Sequence, residues 1–273
     1  MEETITVVKL GGSAITDKSK DCKPNPEIIH RSAEEIASYK GKLILLHGGG
    51  SYAHPLAMRT NLSKGYQNKS QLRAVSEIEL QLEELSRIVG VSLLLRNMVF
   101  APLRPMSFLV MNSGRVVKNF MEPIISALKL GIIPLIHGDI VFDRVRGFGI
   151  VSADRIPSLL AQHLNISRVL FGSDVDGVFT NDPKKNKRRE LIAEVRPGEY
   201  VRVLRSLRSS SESDASHGMY GKVHEAIQLA QQGCEVYFFN LKTRNTLKNL
   251  LNNNTNTTGT RILPMTRRNQ KVR

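Results

Sequence analysis

The chain has 273 residues, 41% of them hydrophobic, with 20 Gly, 11 Pro, two Cys and a formal charge of +14. That length suits one α/β domain with a sizeable core; no apolar stretch approaches the roughly 18 residues of a membrane span, and Cys22 and Cys234 lack metal-site or disulfide-framework spacing. The basic excess gathers in Lys184–Arg189 (KKNKRR) and after Glu235, as solvated loops and tails do, and 5% aromatics without Trp leave few stacking platforms, so nucleic acid is disfavoured as the main partner.

The first predicted element is an apolar strand, Ile5 to Leu10, which carries Lys9 and runs into Gly11, Gly12 and Ser13. A helix over Glu27 to Tyr39 follows, then a second buried strand, Leu43 to Leu46. That strand breaks into Gly48, Gly49 and Gly50, with Ser51 and His54 just beyond. Glycines at a strand end let main-chain amides converge on an anion, because no Cβ blocks approach. Such a turn also serves merely to bend the chain, and both readings stand at this point. A helix starting near Ser51 aims His54 back toward a bound charge.

Ser70 to Leu95 reads as a long helix whose stripe of Leu72, Val75, Ile78, Leu82, Leu85, Ile88 and Val89 suits core packing or a dimer face. A helix over Phe120 to Leu130 leads into the strand Ile132 to Ile136, which closes on His137, Gly138 and Asp139. A further helix is expected over Ala153 to Leu164, where Asp154 is either an N-terminal cap or a site residue. The strand Arg168 to Phe171 ends in GSDVDG, clustering Asp174 and Asp176 with Gly172 and Gly177 where open α/β sheets bind ligands.

Lys184 to Ser213, with its basic run, Pro197 and three serines, reads as a mobile flap. Gly218 and Gly221 then deliver Lys222 to a helix over Lys222 to Gln232, followed by the strand Glu235 to Phe239. Asn252 to Thr260 reads as a polar surface loop before a last short strand near Arg261 to Leu263. Continuous apolar strands alternating with helices predict a mainly parallel sheet covered on both faces. Three glycine turns, two beside lysines, suit a site for several phosphates, yet the Walker pattern GxxxxGK[ST] does not occur.

The segments VVKLGGSAITDK, LLHGGGSYAHPLA, PLIHGDIVFD, VSADRIPSLLA, FGSDVDGVFTNDP and DASHGMYGKV stand in the order found in the amino acid kinase superfamily. The likeness runs from Val7 to about Ile262, and GGGS followed by His-Pro resembles the isopentenyl phosphate kinases within it. The resemblance implies an open αβα sandwich, usually a homodimer. It implies one domain, with an acceptor-binding lobe over about 1–150 and an ATP-binding lobe over about 151–265, moving the γ-phosphoryl of ATP onto isopentenyl phosphate. It assigns catalysis to Lys9, His54, Asp154 and Lys222, with Lys9 and Lys222 on the transferring phosphoryl and Asp154 orienting those lysines. ATP falls to Gly11, Gly12, Lys18, Asp174, Gly177, Lys184 and Gly218, and the acceptor phosphate to Gly49, Gly50, Ser51, His54 and Gly138. No residue is assigned as a metal ligand, magnesium being expected on phosphate oxygens and water.

Five departures from the family pattern bear on the site: Ala53 and His217 stand where Gly is usual, Tyr52 where Phe is usual, and Ala153 with Arg155 replace a Gly and an acid around Asp154, where Arg155 could pair with that acid. The resemblance also leaves room for another acceptor (a phosphonate such as fosfomycin, a carboxylate or a carbamate), and for a nucleotide sensor or an RNA-associated protein. The acidic start MEETITVV and the absence of an apolar span lead us to expect a cytoplasmic protein.

Overall fold

A computed structural model describes residues 4–180, 190–209, 218–254 and 256–265. Its elements run β1 (Ile5–Leu10), α1 (Gly12–Ile15), α2 (Pro26–Ala37), β2 (Lys42–His47), α3 (His54–Arg59), α4 (Ser70–Leu94), β3 (Phe100–Leu103), α5 (Pro105–Phe108), β4 (Leu109–Asn112), β5 (Arg115–Asn119) and α6 (Glu122–Lys129). They continue β6 (Ile133–His137), β7 (Asp139–Asp143), β8 (Gly147–Val151), α7 (Ile156–Leu160), β9 (Ile166–Ser173), β10 (Glu194–Val195), α8 (Tyr200–Ser209), α9 (Gly218–Gln231), β11 (Glu235–Asn240), α10 (Thr246–Leu251) and β12 (Thr260–Ile262).

Eight strands form one sheet in the order β10-β12-β11-β9-β1-β2-β6-β3, parallel except where β12 runs against β11. β1 lies at its centre, paired in parallel with β2 and β9, so the C-terminal ends of β1, β2, β6 and β9 open at one edge. The two-residue period of a strand divides the core. Val7, Ile44, Leu46, Ile136, Val169 and Phe171 face α7 and α9, whereas Val8, Leu10, Leu45, Leu135 and Leu170 face α2, α4 and α10. The expected strands and the mainly parallel α/β class are therefore present.

A second sheet, β5-β4-β7-β8, was not anticipated. Its strands are four or five residues long, and Val117, Phe142 and Ile150 on it are exposed. The alternation that marks a half-buried strand is therefore broken by outward apolar side chains.

Three expected helices begin later than predicted, and each delay has the same cause. Pro55, Pro123 and Pro157 sit in the first turns of α3, α6 and α7, where the missing N–H costs nothing, whereas inside a helix it would break a hydrogen bond. The helix expected near Ser51 accordingly starts at His54 after a 3-10 turn over Gly50–Tyr52, and the one expected from Ala153 spans only Ile156–Leu160.

The segment read as a mobile flap is largely ordered where it is described. Residues 194–209 form β10, a turn and α8, with Tyr200, Val203 and Leu207 buried in the main core. The Tyr200 hydroxyl donates to the Leu263 carbonyl. Lys184 and the rest of 181–189, with 210–217, lie outside the described residues. No described helix is long and apolar enough to cross a membrane.

Candidate active site

The pleat dictates where Lys9 points. It shares the face of Val7, the face covered by α7 and α9, and the residues just before α7 and within the first turns of α9 carry Asp154 and Lys222. Lys9 Nζ pairs with Asp154 Oδ1, and Lys222 Nζ stands 3.3 Å from Asp154 Oδ2. The Lys9 ammonium also lies 5.9 Å from the Phe171 ring centre, a ring stacked on Phe238. Asp154 does not cap α7, whose cap position is Arg155 with no side-chain cap bond; its own amide donates to Ser152 Oγ at 3.2 Å. The Arg155 guanidinium reaches the Gly114 carbonyl at 3.5 Å, and among the described ion pairs Asp154 meets only the two lysines.

Burial alone would raise the Asp154 pKa, but Lys9 and Lys222 hold its carboxyl far below the ordinary carboxylate range. Burial pushes the Lys9 ammonium below the usual lysine value; Asp154 draws it back up and Lys222 pushes it down again. The result is a carboxylate that keeps two cations together in a dry place.

His54 opens α3 and is exposed to solvent as a residue. Surrounding protein mass lowers its pKa first, then Lys222, Lys9 and Lys18, with Asp154 opposing them. The imidazole thus lies within electrostatic reach of both lysines and is neutral near pH 7. Lys18, whose side chain is 61% exposed, stands 3.9 Å from Asp174 Oδ2 across an open cavity of about 470 Å³ lined also by Ser13, Thr16 and Lys242.

The glycine turns are pressed against each other. A Cβ on Gly12 would meet the Gly50 amide nitrogen at 2.4 Å, and one on Gly11 would meet the Gly172 carbonyl oxygen at 2.4 Å. Gly50 adopts φ +51°, a conformation side chains disfavour. Thr16, which sequence reasoning passed over, bolts the turns together: its hydroxyl donates to the Gly12 carbonyl at 2.7 Å and accepts from the Ser51 amide at 3.0 Å. Only its position one helical turn past Gly12 hinted at this.

Gly12→Ala is therefore expected to destabilise by about 1–3 kcal/mol, as overpacking does, read as a lower urea midpoint. An unchanged midpoint would mean that the turns are not in contact.

Other expected site residues have different surroundings. Ser51 is 4% exposed, with its amide on Thr16 and its hydroxyl 3.4 Å from the Lys23 carbonyl. These bonds brace the turn. The amides of Gly49 and Gly50 have no intramolecular partner among the described residues, whereas that of Gly138 donates to the His47 carbonyl at 3.3 Å. A Cβ on Gly138 would meet the Ala153 nitrogen at 2.7 Å, so this glycine lets the turn approach the segment carrying Asp154. Gly177 packs against Thr260, and Gly218, at φ +39°, opens α9. Asp176 accepts from Asn240 Nδ2 at 2.9 Å.

Tyr52 is 1% exposed, and its hydroxyl has no hydrogen-bond partner among the described residues; burial pushes its pKa up to about 12. An unpartnered buried hydroxyl costs about 1–3 kcal/mol. Tyr52→Phe should raise the unfolding free energy by about 1 kcal/mol, and a loss of stability would show that the hydroxyl is satisfied.

An acid linking two lysines at the C-terminal strand edge, beside paired glycine turns, defines a phosphoryl-transfer enzyme of the α/β type, and the chain belongs to the amino acid kinase family, whose model matches residues 4–240. Among its relatives, the chain is 31% identical to the isopentenyl phosphate kinase of Methanothermobacter thermautotrophicus, over 86% of this chain and 90% of that one. It is 30% identical to the isopentenyl phosphate kinase of Methanocaldococcus jannaschii, over 90% and 95%. A solved isopentenyl phosphate kinase structure superposes with a TM-score of 0.81 at 28% identity, covering 94% of this chain and 99% of that one.

Proposed function

We propose that this chain is an ATP-dependent kinase that phosphorylates isopentenyl phosphate to isopentenyl diphosphate. The observation that carries the reading is the convergence of Lys9 and Lys222 on Asp154 with His54 in electrostatic reach, in a chain similar over most of its length to isopentenyl phosphate kinases.

Phosphoryl transfer asks for alignment and for positive charge on the moving oxygens, with little covalent work. Lys9 and Lys222 supply that charge, and Asp154 fixes their spacing. The acceptor phosphate is already ionised at neutral pH, so no general base is needed; neutral His54 donates a hydrogen bond to it and selects it. The free amides of Gly49 and Gly50 hold the same phosphate. Lys18 and Asp174 attend the ATP phosphates, with Gly11 and Gly12 shaping the turn between the two substrates.

Magnesium enters as part of the MgATP substrate. Asp154 is already engaged by the lysines, so phosphate oxygens and water would carry the coordination of magnesium.

The acceptor's hydrocarbon tail suits the small apolar cluster of Leu62, Ile78, Leu82, Ile140 and Phe148, against which Ala53 and Val75 pack. Leu82 also lies within 3.2 Å of where a Gly49 Cβ would stand. Met58, on α3, is 69% exposed, and Leu85, one turn beyond Leu82 on α4, belongs to the opposite core, so neither extends this wall. An amino acid acceptor would need additional charged partners in this cluster, which is apolar.

Our reading further holds that the molecule is a cytoplasmic homodimer and a single domain of two lobes, residues about 1–150 binding acceptor and about 151–265 binding ATP. The test is turnover with MgATP and a panel of isopentenyl phosphate, dimethylallyl phosphate, fosfomycin, glutamate and carbamate. We expect product from the first two alone. Turnover confined to glutamate, carbamate or fosfomycin would replace this reading with another kinase of the family.

A further inference from the structure

The long helix α4 sends one acid inward. Both carboxyl oxygens of Glu79 are buried and make no well-formed hydrogen bond among the described residues; the Ile140 amide, which bonds Asp139, lies near enough to favour Glu79 ionisation, but it is the weakest influence on that carboxyl. The group they face is a second carboxyl, that of Asp139 at the start of β7, itself 2% exposed. Asp139 has donors of its own: its Oδ2 accepts from the Met106 amide at 2.7 Å and its Oδ1 from the Ile140 amide at 2.9 Å. Asp139 is thus equipped to be the anion, and Glu79 is not. Two buried acids side by side resist ionising together, and the arrangement is satisfied if Glu79 keeps its proton and donates it to Asp139.

The location gives this pair a purpose. Asp139 directly follows Gly138, whose backbone approaches the segment carrying Asp154. Met106 belongs to α5, and Glu79 lies between Ile78 and Leu82, both in the apolar cluster proposed to hold the acceptor tail. One shared proton therefore ties α4, α5 and the β6–β7 turn into a frame around the acceptor.

We propose that Glu79 is a positioning residue for the acceptor site, acting by sharing one proton with Asp139 and so clamping α4 to the turn that bears Gly138. This rests on the kinase reading only for its effect on catalysis; the shared proton stands by itself.

The other charged and titratable groups around the pair come from three elements. Arg104, ahead of α5, favours ionisation of Glu79, but it is paired with Glu83 at 2.7 Å. His137, at the end of β6, has Nδ1 3.9 Å from Asp139 Oδ1. His47, on β2, bonds Ser86 at 2.7 Å and has its pKa pushed down to about 3 by burial and by His137, so it stays neutral. Burial first, and Asp139 second, push the Glu79 pKa up to about 9.

The sign of the pH effect follows. Between an ordinary glutamate value of 4.5 and about 9 the folded chain retains a proton that the unfolded chain has released, so this residue makes stability fall as pH rises through that window. Glu79→Gln presents an amide N–H to Asp139 at every pH and abolishes the slope. Three measurements decide the matter. In wild-type protein with 13C-labelled glutamate carboxyls, one resonance, missing in Glu79→Gln, should titrate near pH 9; a Glu79 signal that titrates in the ordinary range overturns the proposal. The Tm of Glu79→Gln should pull ahead of wild type as pH goes from 5 to 9, and a constant gap overturns it. For catalysis, the wild-type KM for isopentenyl phosphate should rise at least threefold from pH 7.5 to 9.5 with kcat changing less, while the KM of Glu79→Gln holds. Parallel KM profiles, with the first two results intact, would overturn the positioning role alone. Absence of turnover on isopentenyl phosphate at any pH would instead fail the kinase reading, and the resonance and Tm arms would still judge the shared proton.

Discussion

Asp154→Asn is expected to lower kcat at least a hundredfold and to destabilise the fold by about 3–5 kcal/mol, the cost of breaking a buried ion pair. The side chains of Lys9 and Asp154 are only 6% and 12% exposed, so water screens neither charge well. Asparagine keeps the shape but withdraws the carboxylate that sustains the buried Lys9 ammonium against desolvation and against Lys222. Lys9 then either stays charged and uncompensated or gives up its proton. The first outcome costs stability. The second removes a cation from the transferring oxygens, where one lost stabilising contact is worth about 10²–10³ in rate. Steady-state kinetics and urea unfolding on the same preparation measure both effects. Near-normal kcat would mean that the two-lysine bridge is structural and unconnected with phosphoryl transfer.

His54→Ala is expected to cost about 2–4 kcal/mol of transition-state stabilisation, an oxyanion-type donor's share, which is roughly a 30- to 1,000-fold fall in kcat/KM. Unlike Asp154, His54 is exposed and belongs to none of the buried clusters, so the Tm of the variant should match wild type. Because its pKa is lowered by its surroundings and by three lysines, the ring is a neutral donor at pH 7, and His54→Gln, which retains an N–H, should recover part of the loss. Full activity in the alanine variant would remove His54 from the acceptor site.

Most of the central sheet was legible because buried parallel strands write themselves as unbroken apolar runs: Ile5 to Leu10 agrees to the residue and β2, β6, β9, β11 and β12 within one or two, whereas the four-residue β3 and the two-residue β10 are too short to show such a run and were not anticipated. The second sheet was not, since Phe142 and Ile150 turn outward and blur the alternation. The late starts of α3, α6 and α7 were written in the chain by Pro55, Pro123 and Pro157, but apolar periodicity alone overruled them. The site was legible in another way. Lys9 and Asp154 are 145 positions apart, and nothing local announces their pairing; a resemblance to a family brought them together before geometry did. Thr16 and Ser51 show the limit of that route, because what they do depends on which neighbour takes each hydrogen bond. The Glu79–Asp139 contact is out of reach of both routes, for it exists only once α4 is laid across the start of β7.

The most direct measurement is a crystal structure with isopentenyl phosphate and a non-hydrolysable MgATP analogue bound. The account predicts terminal phosphoryl oxygens of the analogue within about 2.7–3.2 Å of the Lys9 and Lys222 ammonium groups, and the acceptor phosphate on the Gly49 and Gly50 amides with the His54 ring against it. An acceptor phosphate seated away from His54, or a terminal phosphoryl group out of reach of both lysines, would contradict it.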